Sequence, residues 1–170
     1  MSIFLDKIGQ KQLTPKQILT DPVLFLAFGF GAGLAKKAPG TWGTLVALPI
    51  YLLIVQNFYL FTFCSILACC VGVWLCGRAA EKLGEHDFAG IVWDEIAGFL
   101  VTMLFVPSFS WTAVLMGFIV FRFFDIIKPW PINLLDKHVK GGLGIMIDDI
   151  CAGVFSGGLL IFLLPLMSNY

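Results

Sequence analysis

The sequence predicts an all-α fold: a small polytopic membrane helical bundle of about four to five membrane helices, with an interfacial or re-entrant helix near the N-terminus. Three observations predict it. Hydrophobic residues make up 59% of the 170-residue chain and charged ones 13%, at a mean hydropathy of +0.92, which leaves too little polar surface for a soluble domain. All of the 11 basic and 11 acidic residues fall in three blocks, 6–37, 78–95 and 122–149. Uncharged apolar stretches of 40, 26 and 21 residues come after those blocks in turn, and about 20 apolar residues are enough to cross a hydrocarbon slab of roughly 30 Å.

Lys7, Lys11 and Lys16 lead into no apolar core with a small-residue cleavage site, so no cleavable signal peptide is expected and the N-terminus stays cytoplasmic. The segment Val23 to Ala35 is too short for a span and has positive flanks, the pattern of an interfacial or re-entrant helix. The 40-residue stretch from Ala38 to Gly77 is too long for one pass, and Gln56 and Asn57 interrupt it, so it reads as a helical hairpin. Residues 96–121 fit either one tilted helix or two shorter helices joined at Pro107, Ser108, Phe109 and Ser110, and the two-helix reading is preferred. Pro107 resists helix continuation, Ser108 or Ser110 can cap the second helix, and Trp111 suits an interface. The first of these two helices, Asp94 to Val106, covers only about 20 Å. Ile150 to Tyr170 forms the last pass, with the C-terminus outside. All three charged blocks then share one side, which the bias of Lys and Arg assigns to the cytoplasm. Lys37, Glu85 and Lys140 lie there, and Asn57, Ser108 and Ser168 lie opposite. Residues 1–170 read as a single domain, without internal repeats.

Charge and cysteine content exclude several functions. The formal net charge is zero and no basic stripe with interleaved aromatics occurs, so nucleic acid is not a partner. The blocks are unequal, with nets of +3, −3 and 0 counted from the sequence, so a cationic partner is expected at the second. Cys64, Cys69, Cys70, Cys76 and Cys151 lack CxxC spacing and nearby histidines; they read as small core or lipid-facing side chains. None begins a Cys-x5-Arg nucleophile loop.

The chemistry concentrates in four motifs. IVWDEIAG, residues 91–98, puts Asp94 and Glu95 near the start of a membrane helix, with Gly98 one turn on, where a neighbour can approach closely. FRFFDIIKPWP, residues 121–131, spaces Arg122, Asp125 and Lys128 by threes along one helical stripe before Pro129 and Pro131 end the helix. GGLGIMIDDICAG, residues 141–153, reads as a flexible glycine segment running into Asp148 and Asp149 at the next helix start, where free N–H groups favour anions. APGTWGT, residues 38–44, combines Gly40 and Gly43 with Thr41 and Thr44, whose hydroxyls can meet phosphate oxygens, while Lys36 and Lys37 attract anionic lipid. Thr41 can equally be a helix cap.

If these motifs converge, Asp94, Glu95, Asp125, Asp148 and Asp149 face only Arg122 and Lys128. Two bare carboxylates about 4 Å apart repel by roughly 4 kcal/mol at an effective dielectric near 20, so protonation, separation or a divalent cation must relieve them. All-oxygen ligands point to Mg²⁺ or Mn²⁺. His86 and His138 are too few for zinc. The plainer alternative is that the acids cap helices and pair with basic residues. For Asp148 a cap is favoured over a ligand, and Asp136 with Lys137 reads as a solvated turn; His86 and Asp87 read as loop residues.

Together the four motifs, with the FGFGAGLAKK run before them, resemble the phosphatidylglycerophosphatase A family of bacterial membrane enzymes over nearly the whole chain. That resemblance implies an all-helical fold and Mg²⁺-dependent removal of the terminal phosphate from phosphatidylglycerophosphate, on the route to phosphatidylglycerol and cardiolipin. A diacylated substrate would keep its tails in lipid and present its phosphate where the acids cluster, on the cytoplasmic face. Asp94, Glu95, Asp125 and Asp149 are then expected to bind metal or activate water. Lys128 and Arg122 would neutralise phosphate charge, and Lys37, Gly40, Thr41 and Thr44 would contact the substrate. A CDP-alcohol phosphotransferase would need a DGxxAR sequence, which is absent. A cation or proton transporter would place acids near mid-membrane, whereas these are expected at span ends.

Overall fold

The computed structural model describes residues 14–86, 88–134 and 139–167. The expectations for Lys7, Lys11, Asp87, Asp136, Lys137, His138 and Ser168 lie outside the described residues. Helices account for the described structure: α1 (Pro15–Thr20), α2 (Pro22–Ala27), a 3-10 segment (Gly29–Leu34), α3 (Pro39–Ile54), α4 (Phe58–Leu83), α5 (Trp93–Met103), α6 (Trp111–Ile127) and α7 (Gly141–Met167). Among the described residues there are no strands.

The expected breaks in the long apolar stretches form where anticipated. The hairpin turns at Asn57, whose side chain accepts the Leu60 N–H and caps α4. Ser110 caps α6 by accepting the Ala113 N–H, with Pro107 in the preceding loop. Each cap satisfies a backbone donor that the first helical turn leaves open. The far ends of the hairpin and of the α5–α6 loop meet around a cavity of about 200 Å³ bounded by Tyr51, Gln56, Phe61, Pro107 and Phe109.

Two expectations are corrected. Val23 to Ala35 is not one helix. The chain takes positive φ at Gly29, Phe30 and Gly31, which ends α2 and starts a 3-10 turn. Phe28 is buried there with Leu24 and Ala27, in a cluster that includes Leu75, Cys76 and Ala79 of α4. The glycines at 141–144 are not a flexible lead-in either: they begin α7. A Cβ on Gly142 would overlap the Val73 carbonyl of α4, so the missing side chains let α7 lie flush on α4, and that packing overrides glycine's poor helix propensity.

α5 is the centre. Every residue from Ile96 to Met103 is buried, and α3, α4, α6 and α7 all pack on this helix. Gly98 is the point of close approach that its position in the motif suggested: its hypothetical Cβ would lie 2.7 Å from the Asp149 carbonyl and 2.8 Å from Phe121. Farther along, Gly153 faces the Gly98 carbonyl and Gly157 faces Phe105. The two helices therefore run parallel, held close by a Gly-x3-Gly spacing.

Two helices, α4 (26 residues) and α7 (27 residues), are long and apolar enough to cross a membrane. α3 is apolar but shorter, at 16 residues. Large apolar side chains point outward, among them Leu53, Tyr59, Trp74, Leu115, Ile126 and Phe162.

Candidate active site

The acids come together at one end of the bundle. α5 starts without a side-chain cap, and Asp94 Oδ1 accepts the Glu95 N–H at 3.1 Å. Both acids occupy the first turn, where the helix dipole favours negative charge. α7 passes alongside and adds Asp149. One carboxylate oxygen from each of Asp94, Glu95 and Asp149 lies within 4.8 Å of the other two. Asp125, buried near the end of α6, adjoins Asp149.

The basic residues are already engaged. Arg122 forms an ion pair with Asp125 one turn along α6, and its Nη1 lies 3.9 Å from Glu95 Oε1. Lys128 ends α6 in the left-handed conformation, at φ 44°, and its ammonium pairs with Asp148 of α7. Asp148 is therefore not a helix cap, contrary to the sequence expectation. α7 begins at Gly141, seven residues before it, so Asp148 and Asp149 sit about two turns inside the helix. The helix-start placement expected from the sequence holds for Asp94 and Glu95 and fails for Asp148 and Asp149, so the N-terminus of α7 does not act on that pair.

APGTWGT contributes in part. Gly40 faces the acids: a Cβ there would overlap Glu95 Oε1 and lie 3.1 Å from Arg122 Nη1. Thr44 is buried, donates to the Gly40 carbonyl at 2.9 Å and accepts from Arg122 Nη1 at 3.5 Å. These two residues position the Glu95–Arg122 pair, a role the sequence did not disclose. Thr41 is half-buried within the first turn of α3, not its cap, and Lys37 is exposed on the segment before it. Among the described residues neither is bonded to an acid of the cluster. His86 Nε2 accepts the Gly141 N–H at 2.5 Å, which ties the α4–α5 loop to the start of α7. The cavity at the hairpin turn is at the opposite end from the acids.

Glu95 has a direct structural sensitivity. Because the atom a Gly40 Cβ would meet is the tip of a flexible side chain, Gly40→Ala is expected to fold normally while displacing the Glu95 carboxylate, lowering turnover about 10-fold or more. A variant with unchanged kcat/KM and wild-type thermal stability would remove Gly40 from this role.

The cluster fits a divalent cation. Five carboxylates face two cations, and Glu95 Oε2 and Asp149 Oδ2 are buried without a hydrogen-bond partner, which is costly unless something else satisfies them. Three oxygens from three carboxylates are a hard, anionic donor set suited to Mg²⁺ or Mn²⁺.

Fold and site together define an all-helical protein with an apolar exterior and a buried polyacidic centre at one end. A family model for phosphatidylglycerophosphatase A matches residues 25–164. The chain belongs to that family. It is 45% identical over 146 residues to a phosphatidylglycerophosphatase A of Escherichia coli, with 85% of each chain covered. Its identity to a phosphatidylglycerophosphatase A of Haemophilus influenzae is 41% over 140 residues, covering 81% of this chain and 86% of the relative. A protein of Bacteroides thetaiotaomicron, provisionally named a phosphatidylinositol-3-phosphatase, is 36% identical over 144 residues, covering 79% and 88%. No solved structure gives a significant match.

Proposed function

We propose that the protein hydrolyses the terminal phosphomonoester of phosphatidylglycerophosphate, with Mg²⁺, at the cytoplasmic face of the bacterial inner membrane, giving phosphatidylglycerol and inorganic phosphate. The observation that carries this reading is the focus of three carboxylates on one point beside two cations, in a chain 45% identical to a relative named for that activity.

Asp94, Glu95 and Asp149 would hold the metal, with Asp125 adjoining. Bound there, a divalent cation lowers the pKa of a water and stabilises charge on the transferring phosphoryl group. The chain's own residues supply the rest. Arg122, fixed between Glu95, Asp125 and Thr44, orients the two carboxylates and presents positive charge to the phosphate; Lys128 does the same from the end of α6. Water adds to phosphorus as the bond to the glycerol oxygen breaks. A carboxylate of the set accepts the proton the water loses, and the departing oxygen takes one up. Lys37 attracts the anionic lipid from the surface, and Thr41 offers a hydroxyl at the site's edge.

The whole chain forms one membrane domain. α4 and α7 cross the bilayer; α3 and α6, about 24 and 26 Å long by their residue counts, cross with local thinning. α5, at about 17 Å, is enclosed by these four and need not match the bilayer itself. The outward apolar side chains support this reading, since a soluble surface rarely exposes so many together.

Chelation tests the chemistry. Phosphate release from phosphatidylglycerophosphate in vesicles should vanish in excess EDTA and return with Mg²⁺; full activity after metal-free purification would end the metal reading. Phosphatidylinositol 3-phosphate belongs in the same assay, because the Bacteroides relative favours it as a second reading.

Single-cysteine labelling in a cysteine-free background tests the topology. Positions 85 and 140 should label from the cytoplasmic side and positions 57 and 108 from the other. The His86–Gly141 bond and the shared far-end cavity support that grouping. Labelling of 85 and 140 from opposite sides would break it.

A further inference from the structure

Four helices surround α5, and three of the four gaps between them are closed. α4 packs on α7 and α7 on α6 along their lengths. α3 and α4 diverge from their shared turn, but α2 and the 3-10 segment fill the space between them, packing on α4 and α3 respectively. The fourth gap, between α3 and α6, is bridged by none of the other outer helices among the described residues: the two backbones do not pack along their lengths, and a side-chain contact between them at the site is Arg122 Nη1 to Thr44 Oγ1. That contact sets which flanks face each other. Helical spacing puts Leu48 on the flank of Thr44, and Leu115 and Phe118 on the flank of Arg122. At the site end of this seam stand Glu95 and Arg122, whose side chains retain 15% and 14% of their exposure, whereas Asp148 of α7 retains 6%.

We infer that the α3–α6 seam is the lateral entry for a diacylated lipid phosphomonoester, with its acyl chains against Leu48, Leu115 and Phe118 and its phosphate drawn up to Arg122. The inference rests on the lipid phosphatase reading for its occupant. The seam is apolar along the bilayer and ends in a cation beside the acid cluster, which matches the two halves of such a molecule. Water alone would not require an apolar approach.

Photolabelling of the full chain in vesicles tests it. The probe is phosphatidylglycerophosphate carrying a diazirine on one acyl chain. Label should fall on residues 39–54 and 111–127, and unlabelled phosphatidylglycerophosphate should reduce it at least 5-fold while phosphatidylcholine does not. Competable label on the outer faces of α4 or α7, or no competable label, would overturn the seam. If competable label stays on α3 and α6 but no phosphate is released from any lipid, the phosphatase reading fails and the seam stands. As a second measurement, Leu48→Cys with Phe118→Cys in a cysteine-free background is bridged by a reducible thiosulfonate linker. Bridging should cut diacyl-lipid hydrolysis at least 10-fold, reduction should restore it, and the water-soluble deacylated headgroup should be cleaved equally before and after. Undiminished lipid hydrolysis with the bridge in place, or equal loss on both substrates, counts against entry here.

Discussion

Asp94→Asn, Glu95→Gln and Asp149→Asn are each expected to lower phosphate release at least about 100-fold, a loss of roughly 2.7 kcal/mol or more of transition-state stabilisation. These three carboxylates point oxygens at one place, and the amide keeps each side chain's shape while removing the charge that a divalent cation needs. Folding should persist, because neutralising one of five clustered acids relieves repulsion. Asp125→Asn should fall into the same range for a partly different reason: it weakens the ion pair that orients Arg122. Steady-state rates at saturating Mg²⁺, normalised to correctly inserted protein, decide the matter. Turnover near wild type in the Asp94, Glu95 and Asp149 variants would return these groups to a structural role.

Gly153→Val is expected to fail at an earlier stage. Its Cβ would lie 2.5 Å from the Gly98 carbonyl and 3.2 Å from two Val101 side-chain atoms. Unlike the Glu95 tip that faces Gly40, a backbone carbonyl in the central helix cannot swing away. Either α7 separates from α5 or α5 shifts, carrying Asp94 and Glu95 away from Asp149. Overpacking of this kind costs about 1–3 kcal/mol and sometimes more. The variant should show a markedly lower unfolding temperature in detergent and lose activity even with excess Mg²⁺. A monodisperse protein with unchanged thermal stability would show that the helix crossing is looser than the structure implies.

Much of the helix pattern was legible in the sequence because its signals are local. Asn57 and Ser110 cap their helices through bonds only three residues long, and Pro107 and Pro129 mark chain that cannot continue as helix. Gly98 was legible as a point of close approach, but no local signal named Gly153 and Gly157 of α7 as the surface that packs on α5. The glycines at 141–144 misled for the opposite reason: their intrinsic preference is against helix, and contact with Val73 of α4 decides otherwise.

The same division holds for the site. Composition and charge spacing alone establish an all-helical apolar protein, since hydrophobicity and the exclusion of charge from apolar stretches need no tertiary information. The motifs likewise supply the acids and the two basic residues. How these groups divide is a matter of helix packing: Asp94, Glu95 and Asp149 share one focus, Asp125 engages Arg122, and Asp148 engages Lys128. Asp148 and Asp149 are neighbours in sequence, yet successive residues on a helix point about 100° apart. One therefore meets the end of α6 and the other faces α5, and which does which depends on the rotation of α7 set by glycine contacts along its length.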